Sequence, residues 1–220
     1  MKQYKCKRIS EDIKIDGNLD KPIWEKAEKM TLVKNDDGGA PEHETTAMML
    51  WNDNFLYVGF RCVDDEIIAT MTGYNDPIYQ EEVVEIFVDD DCDLQTYIEI
   101  EVSPINTLLH YNIHNNLKGK ILTFARTAKV IESAVSHKKG SQGNEFIYDV
   151  EFAIPFSETI LGSIEGPSVN TRWRANLYRI DRWAKGDVEL SAWCPTNVPN
   201  FHRPDKFGEI IFVEKTAEIC

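Results

Sequence analysis

The chain has no run of apolar residues approaching the ~18 that a membrane-spanning helix needs, so no membrane span is expected. Its five cysteines, Cys6, Cys62, Cys92, Cys194 and Cys220, are scattered, odd in number and without CxxC spacing. That argues against a disulfide framework and a structural zinc site, and free thiols suit a reducing compartment. A GxSxG elbow, an HExxH helix and a glycine-rich phosphate loop are also missing, so catalysis has no motif to stand on. Positive charge is in short supply: 24 Lys and Arg stand against 37 Asp and Glu, for a net charge of −13. That field repels a phosphate backbone, so nucleic acid is not an expected partner. The N-terminal stretch MKQYKCKRISEDIKIDG is basic but holds no apolar core of a signal peptide. The expectation is a cytoplasmic chain, or a secreted one whose leader has been removed.

What the chain does have is alternation. AMMLW and FLYVGFRCV flank the polar turn Asn52-Asp53-Asn54 and read as a hairpin. EVVEIFVD and TYIEIEVS, joined by an aspartate-rich link, read as a second. EFIYDVEFAI, RWRANLYRID, VELSAWCP and EIIFVE continue the period. Strands at this spacing predict an all-β fold, an antiparallel two-sheet β-sandwich of immunoglobulin or jelly-roll type. Helical signals are confined to one or two short turns. Asp20 ahead of Lys21-Pro22 looks like an N-cap with proline in the first turn, and PFSETIL from Pro155 could close another turn. GSQGN at 140–144 and EGPSVN at 165–170 read as turns. No linker interrupts the pattern, which gives a single domain over residues 7–215 with ragged ends at 1–6 and 216–220.

In QEEVVEIFVDDDCD (80–93), a strand would send Val84, Ile86 and Val88 one way and Val83, Glu85, Phe87 and Asp89 the other. Glu99, Glu101, Asp149 and Glu151 repeat the theme of an acid between apolar neighbours. So many carboxylates on sheet faces either decorate a solvated surface or line a polar, concave face for a hydroxyl-rich ligand, with Arg174 and Arg179 as available counter-charges. Asp89, Asp91 and Asp93 follow the first half of a calcium-loop rhythm. Leu94 stands where an EF-hand needs glycine and Ile100 where it needs glutamate, so the readings are calcium at a strand-connecting loop or a plain solvated turn. His110 and His114 lie in YNIHNN, a strand or loop rather than a metal-binding helix, and His202 reads as a turn residue anchoring the last strand.

Trp24, Trp51 and Trp173 keep the apolar rhythm of their segments and read as core. Trp183, Trp193, Tyr74 and Tyr79 stand in looser contexts beside amides and charges. Such rings hold sugars: the flat face covers the C–H side of a pyranose while Gln, Glu, Asn and Arg take its hydroxyls.

IDGNLDKPIWEKA, LWNDNFLYVGFRCVDD, EEVVEIFVDDD, YDVEFAIPF, WRANLYRID and SAWCPTNVPNFHRPDKFGEIIF follow one another over roughly residues 13–213. In that order they resemble the family 9 carbohydrate-binding modules. The resemblance implies a β-sandwich, often with structural calcium, and a slot in which two aromatic rings sandwich a terminal sugar. It also implies a non-catalytic binding device, frequently attached to glycoside hydrolases. One ring would come from Tyr74 or Tyr79, with Gln80 and Glu81 as hydroxyl partners. Trp183 or Trp193 would supply the second, with Arg179 as a charge-assisted donor or an internal partner of Glu85 or Asp181. Asp89, Asp91 and Asp93 would be the calcium ligands. The expected function is recognition of a mono- or oligosaccharide, at a chain end, with associated glycoside hydrolases as partners. Two other classes stay open. One is a haem-binding electron-transfer sandwich with Met71 or His202 as axial ligand, although no CxxCH is present. The other is a glycoside hydrolase using a carboxylate pair, involving Glu85 or Glu81.

Overall fold

The computed structural model describes residues 1–140, 143 and 145–214. The turn expected at 140–144 lies partly, and the ragged end at 216–220 wholly, outside the described residues. Strands β1 (Gln3–Arg8), β2 (Met30–Thr31), β3 (Val33–Lys34), β4 (Thr45–Trp51) and β5 (Phe55–Asp64) come first. β6 (Val83–Asp89), β7 (Thr96–Val102), β8 (Leu108–Asn115), β9 (Ile121–Ala125) and β10 (Glu132–Lys139) follow. β11 (Phe146–Pro155), a single helical turn α1 (Phe156–Thr159), β12 (Arg172–Arg182), β13 (Val188–Ala192) and β14 (Gly208–Val213) complete the described elements.

Both expected hairpins form. β4 and β5 pair antiparallel with Trp51 opposite Leu56, and β6 and β7 with Val88 opposite Ile98. The strands run β10-β11-β5-β4-β1-β14-β12-β6-β7-β8-β9, so β1 and β14 join two antiparallel arms. The arms fold onto each other because each presents one continuous apolar face. Met49, Val58 and Phe60 of the first arm share a core with Val84, Ile86, Val88 and Leu177 of the second. The result is the β-sandwich that alternation predicts.

Two local expectations are corrected. Residues 1–6 are not a loose end. Tyr4 and Cys6 are buried, β1 pairs parallel with β14, and the Tyr4 hydroxyl accepts the Met49 amide at 2.8 Å. Asp20 caps nothing: the 3-10 turn Pro22–Lys26 starts from Lys21 without a side-chain capping bond. Asp20 instead accepts from Lys138 at 2.6 Å and Arg61 at 2.7 Å, which together hold its carboxyl down to about 2.

The outer face of the first arm shows how this protein partners its acids. Glu151 on β11 is fully buried, yet it takes the amides of Asp16 and Gly17 at 2.9 and 3.1 Å, the Trp24 indole at 2.9 Å and the Lys21 ammonium at 2.6 Å. Asp149 takes Arg61 at 2.7 Å and Lys138 at 2.8 Å. The segment 13–27 is thereby laid across the sheet. Gly17 permits the close approach: it sits at φ 75°, and a Cβ there would meet the backbone of Val135 and Ser136 at 2.8 Å. Glu151→Ala removes the acceptor of a buried indole N–H and of the Asp16 and Gly17 amides, while Lys21 keeps Asp16, and should cost about 2–4 kcal/mol in denaturant unfolding. A loss below about 1 kcal/mol would mean that packing alone holds this segment.

Candidate functional site

The outer face of the second arm has the same sequence rhythm and the opposite electrostatics. Glu85 on β6 stands opposite Glu101 on β7, Phe87 opposite Glu99, and Glu99 in turn opposite Tyr111 on β8. Period-two alternation sends all five side chains away from the sandwich core. They floor a cleft of about 460 Å³. Tyr79, on the 3-10 turn Ile78–Gln80 just before β6, rises at one side with Tyr111 and Thr123. Ile180, Leu190 and the segment 199–202 form the other side.

That segment is fastened from below. Phe201 stacks on Tyr178 at 4.1 Å, and the Tyr178 hydroxyl donates to the Phe201 carbonyl at 2.9 Å. His202 lies over Phe87 with ring centroids 5.1 Å apart. Asn115 donates to the Tyr97 hydroxyl at 3.3 Å, and that hydroxyl lies 2.9 Å from His202 Nδ1. With the hydroxyl as donor to Nδ1, the imidazole proton sits on Nε2. Burial pushes the imidazole down to about 4, so it is neutral near pH 7.

The floor is acidic and unpaired. Glu85, Glu99 and Glu101 are 2%, 6% and 0% exposed. Glu85 Oε1, Glu99 Oε2 and both Glu101 carboxylate oxygens have no hydrogen-bond partner. Glu99 and Glu101 come close enough to share a proton. Burial pushes Glu99 up to about 7 and raises Glu85 and Glu101 well above the usual carboxylate range, with neighbouring carboxylates adding to the rise at those two.

Of the residues singled out from sequence, Tyr79 is at the cleft, 41% exposed. Gln80 is exposed on the same turn but does not line the cleft. The Glu81 carboxylate is occupied by the Thr70 amide and hydroxyl and the Met71 amide at 2.7, 2.5 and 3.0 Å. Tyr74 turns the other way, donating to the Ala128 carbonyl at 3.1 Å with Lys129 over its ring. Trp183 is half-buried against His43, 5.4 Å between ring centroids, and is not part of the cleft lining. Two residues are corrected as ligand contacts, Arg179 in favour of its other reading as an internal partner of Asp181. Arg179 stands opposite Val84, not Glu85, so it points between the sheets. There it is 1% exposed and donates to Asp64, the Val63 carbonyl and Thr45 at 2.7, 2.8 and 3.0 Å, with Asp181 at 3.2 Å. Trp193 is 4% exposed, set edge-on to Tyr4 and over Gly208, where a Cβ would come within 2.4 Å of the indole. Neither can reach a ligand. Of the haem-reading residues, His202 lines the cleft, while Met71 packs at the margin of the outer apolar cluster. Tyr111 was findable by carrying the alternation of β7 onto YNIHNN. Thr123, Asn200 and Phe201 carry no periodic signal at all.

Among the described residues, three clusters bring ligand atoms within 4.8 Å of one another: His43-Asp64-Asp181, Glu85-Glu99-Glu101 and Asp89-Asp91-Asp93. The first already encloses the Arg179 guanidinium. In the third, each aspartate anchors its own loop through one oxygen, to the amides of Leu94, Asp93 and Gln95 at 3.0, 3.1 and 2.6 Å. Asp89 Oδ1 stays buried without a partner, and burial pushes that carboxyl up to about 6. An all-oxygen donor set with an unsatisfied buried carboxylate fits a hard divalent cation.

A model of the carbohydrate family 9 binding domain-like family matches residues 15–215. An extracellular protein of Arthroderma benhamiae is 26% identical over 79% of this chain and 80% of its own length. The exoglucanase XynX of Acetivibrio thermocellus is 24% identical over 93% of this chain, which spans 17% of that enzyme. Among solved structures, a candidate carbohydrate-binding protein from Bacteroides uniformis superposes with a TM-score of 0.76 at 17% identity, covering 96% of this chain and 99% of that one. A family 9 module from Caldicellulosiruptor kristjanssonii in complex with cellotriose gives 0.64 at 21% identity, over 100% and 97% of the two chains. A structure with glucose gives 0.62 at 22% identity, over 99% of each. These three share the fold.

The unpaired floor sets a pH dependence. Acids whose folded pKa is raised contribute stability that is complete below about pH 4.3 and lost as the pH rises through their folded values. Glu99 at about 7 carries that loss up to neutrality, and Glu82, buried outside the cleft near Asp64 and at about 8, extends it beyond. His110 and His202, both pushed down to about 4, act in the opposite sense, but their contribution is complete above the unperturbed histidine value of about 6.5. The melting temperature should therefore fall from about pH 6.5 to about pH 8.5, and Glu101→Gln should flatten the fall. A wild-type profile level across that range would show that the floor is not desolvated as described.

Proposed function

The chain belongs to the carbohydrate family 9 binding domain-like family, and we propose that it acts as a non-catalytic module holding the end of a sugar chain in the cleft over Glu85, Glu99 and Glu101. The observation that carries this reading is the set of unpartnered carboxylate oxygens at the base of a cleft walled by aromatic rings. Such oxygens demand hydrogen-bond donors, and a pyranose offers several hydroxyls on a body with apolar C–H faces. Tyr79 and Tyr111 supply ring faces, and the Asn200 amide, Thr123 hydroxyl and His202 Nε2 supply groups for the remaining hydroxyls. The volume suits a small ligand and the open side leaves room for the rest of a chain. Tyr79 is the first ring as expected, and Tyr111 takes the place of the tryptophan expected as the second.

Glucose and cellotriose, named with the Caldicellulosiruptor modules, are the first ligands to try. The exoglucanase relative supports attachment to, or association with, a glycoside hydrolase as the setting. The Asp89-Asp91-Asp93 loop would hold calcium as a structural ion. Its place in the chain gives that ion a purpose: the loop joins β6 to β7 and so fixes the register that sets Glu85 opposite Glu101. It also holds Cys92 and Leu94 at φ 62° and 65°, left-handed values that non-glycine residues seldom adopt.

In calorimetric titrations with cellotriose, Tyr111→Ala should weaken binding about tenfold, since stacking and burial together are worth roughly 1–2 kcal/mol. Its melting temperature should hardly change, and Trp183→Ala should leave affinity intact. An unchanged Tyr111→Ala affinity beside a weakened Trp183→Ala would move the site to the turn that follows β12. Adding a chelator should lower the melting temperature by a few degrees, with recovery on adding calcium. An unchanged value would leave the aspartates as a solvated turn.

A further inference from the structure

The cleft floor holds more buried, unpartnered carboxyl groups than a neutral sugar answers. On the first arm, Asp149 and Glu151 have their cations built in: Arg61, Lys138 and Lys21. On the second arm, Glu85, Glu99 and Glu101 are just as buried, and no Lys or Arg lines the cleft among the described residues. Four of their six carboxylate oxygens lack any partner. A hydroxyl can donate one hydrogen bond into such a floor but brings no charge to balance it.

The geometry suggests what would. One oxygen from each glutamate can be chosen so that all three lie within 4.8 Å of one another. Three acceptors each about 2.8 Å from one tetrahedral nitrogen stand about 4.6 Å apart, so an ammonium with three N–H donors fits such a triangle. The surroundings are organic rather than aqueous: Phe87, Tyr111 and Phe201 border the acids, and Tyr79 overhangs them. Aromatic faces attract cations and also cover the C–H face of a sugar ring, so an amine carried on a pyranose uses both features of this lining, whereas a bare divalent ion uses the acids alone.

Resting on the sugar-site reading above, we infer that the preferred ligand is a saccharide end bearing a free, protonated amine, an unacetylated hexosamine whose ammonium sits among Glu85, Glu99 and Glu101. The ammonium donates to the three carboxylates while the pyranose ring lies along Tyr79 and Tyr111. The raised pKa values of the floor fit this assignment, because burial without a cation disfavours the ionised forms and a bound ammonium would favour them again. Acetylation removes the charge and two of the three donors, so an N-acetylhexosamine loses the advantage.

The test is calorimetric titration of the full chain near pH 6.5 with D-glucosamine, D-glucose and N-acetyl-D-glucosamine. Glucosamine should bind about tenfold or more tightly than glucose, and N-acetylglucosamine no better than glucose. Glu101→Gln and Glu85→Gln, each confirmed folded by its melting curve, should shrink the glucosamine advantage to about threefold or less. Equal affinities for glucose and glucosamine, affected alike by both variants, would overturn the amine inference and leave the sugar site standing. Binding of neither sugar would remove the site itself. Saturable binding of calcium or manganese alone, lost in Glu101→Gln, would assign the floor to a metal and overturn the inference.

Discussion

Burying a carboxylate is costly unless something in the fold or in a ligand meets its oxygens, and this constraint shapes both outer faces of the sandwich. On β11 it is met from within. Glu151 and Asp149 draw the segment 13–27, Lys21, Arg61 and Lys138 onto the sheet, so the acids become the fastening of the N-terminal third. On β6 and β7 it is left open. Glu85, Glu99 and Glu101 sit as deep, beneath a cleft, with oxygens that nothing in the chain satisfies. Stability is given up there, and a ligand that supplies the donors would recover it as affinity. The same residue type in the same alternation thus serves structure on one arm and is left without partners on the other, where we propose that it serves recognition.

The architecture around the cleft follows from that division. The inward faces of the arms are apolar and carry the fold, so the outward face of β6-β7-β8 is free to be polar. The 3-10 turn Ile78–Gln80 leads directly into β6 and brings Tyr79 over the floor. The segment 199–202 is pinned by Tyr178, Tyr97 and Asn115, all rooted in the sheet beneath it. Ring and floor are therefore held by the same strands, which is what a preorganised binding surface requires.

The fold was readable because period-two alternation is a local property. β4, β5, β6, β7, β11, β12 and β14 all fall where the apolar rhythm placed them. β1 escaped notice because QYKCKR is short and basic, and only pairing with β14 reveals Tyr4 and Cys6 as core. The cleft was half readable. The acids and Tyr79 could be named from sequence, yet DVEF and IEIE look alike, and nothing in either says which acids have partners 130 residues away. Parity decided the rest. Arg179 and Tyr178 are neighbours in sequence, but they face opposite sides of β12, so the register with β6 sends the guanidinium inward. Trp193 was misjudged for a related reason: its position before Pro195 looks loop-like, while the bare Gly208 beneath its ring makes a core niche for it.

The account rests on the ligand entering over the β6-β7-β8 face, and an amide-resolved NMR titration with glucose tests that most directly. The result it predicts is a contiguous set of shifted amides at residues 79, 85–87, 99–101, 111 and 200–202, with those around Trp183, Trp193 and Arg179 unmoved. Shifts centred on Trp183 and His43, with the carboxylate floor silent, would contradict it.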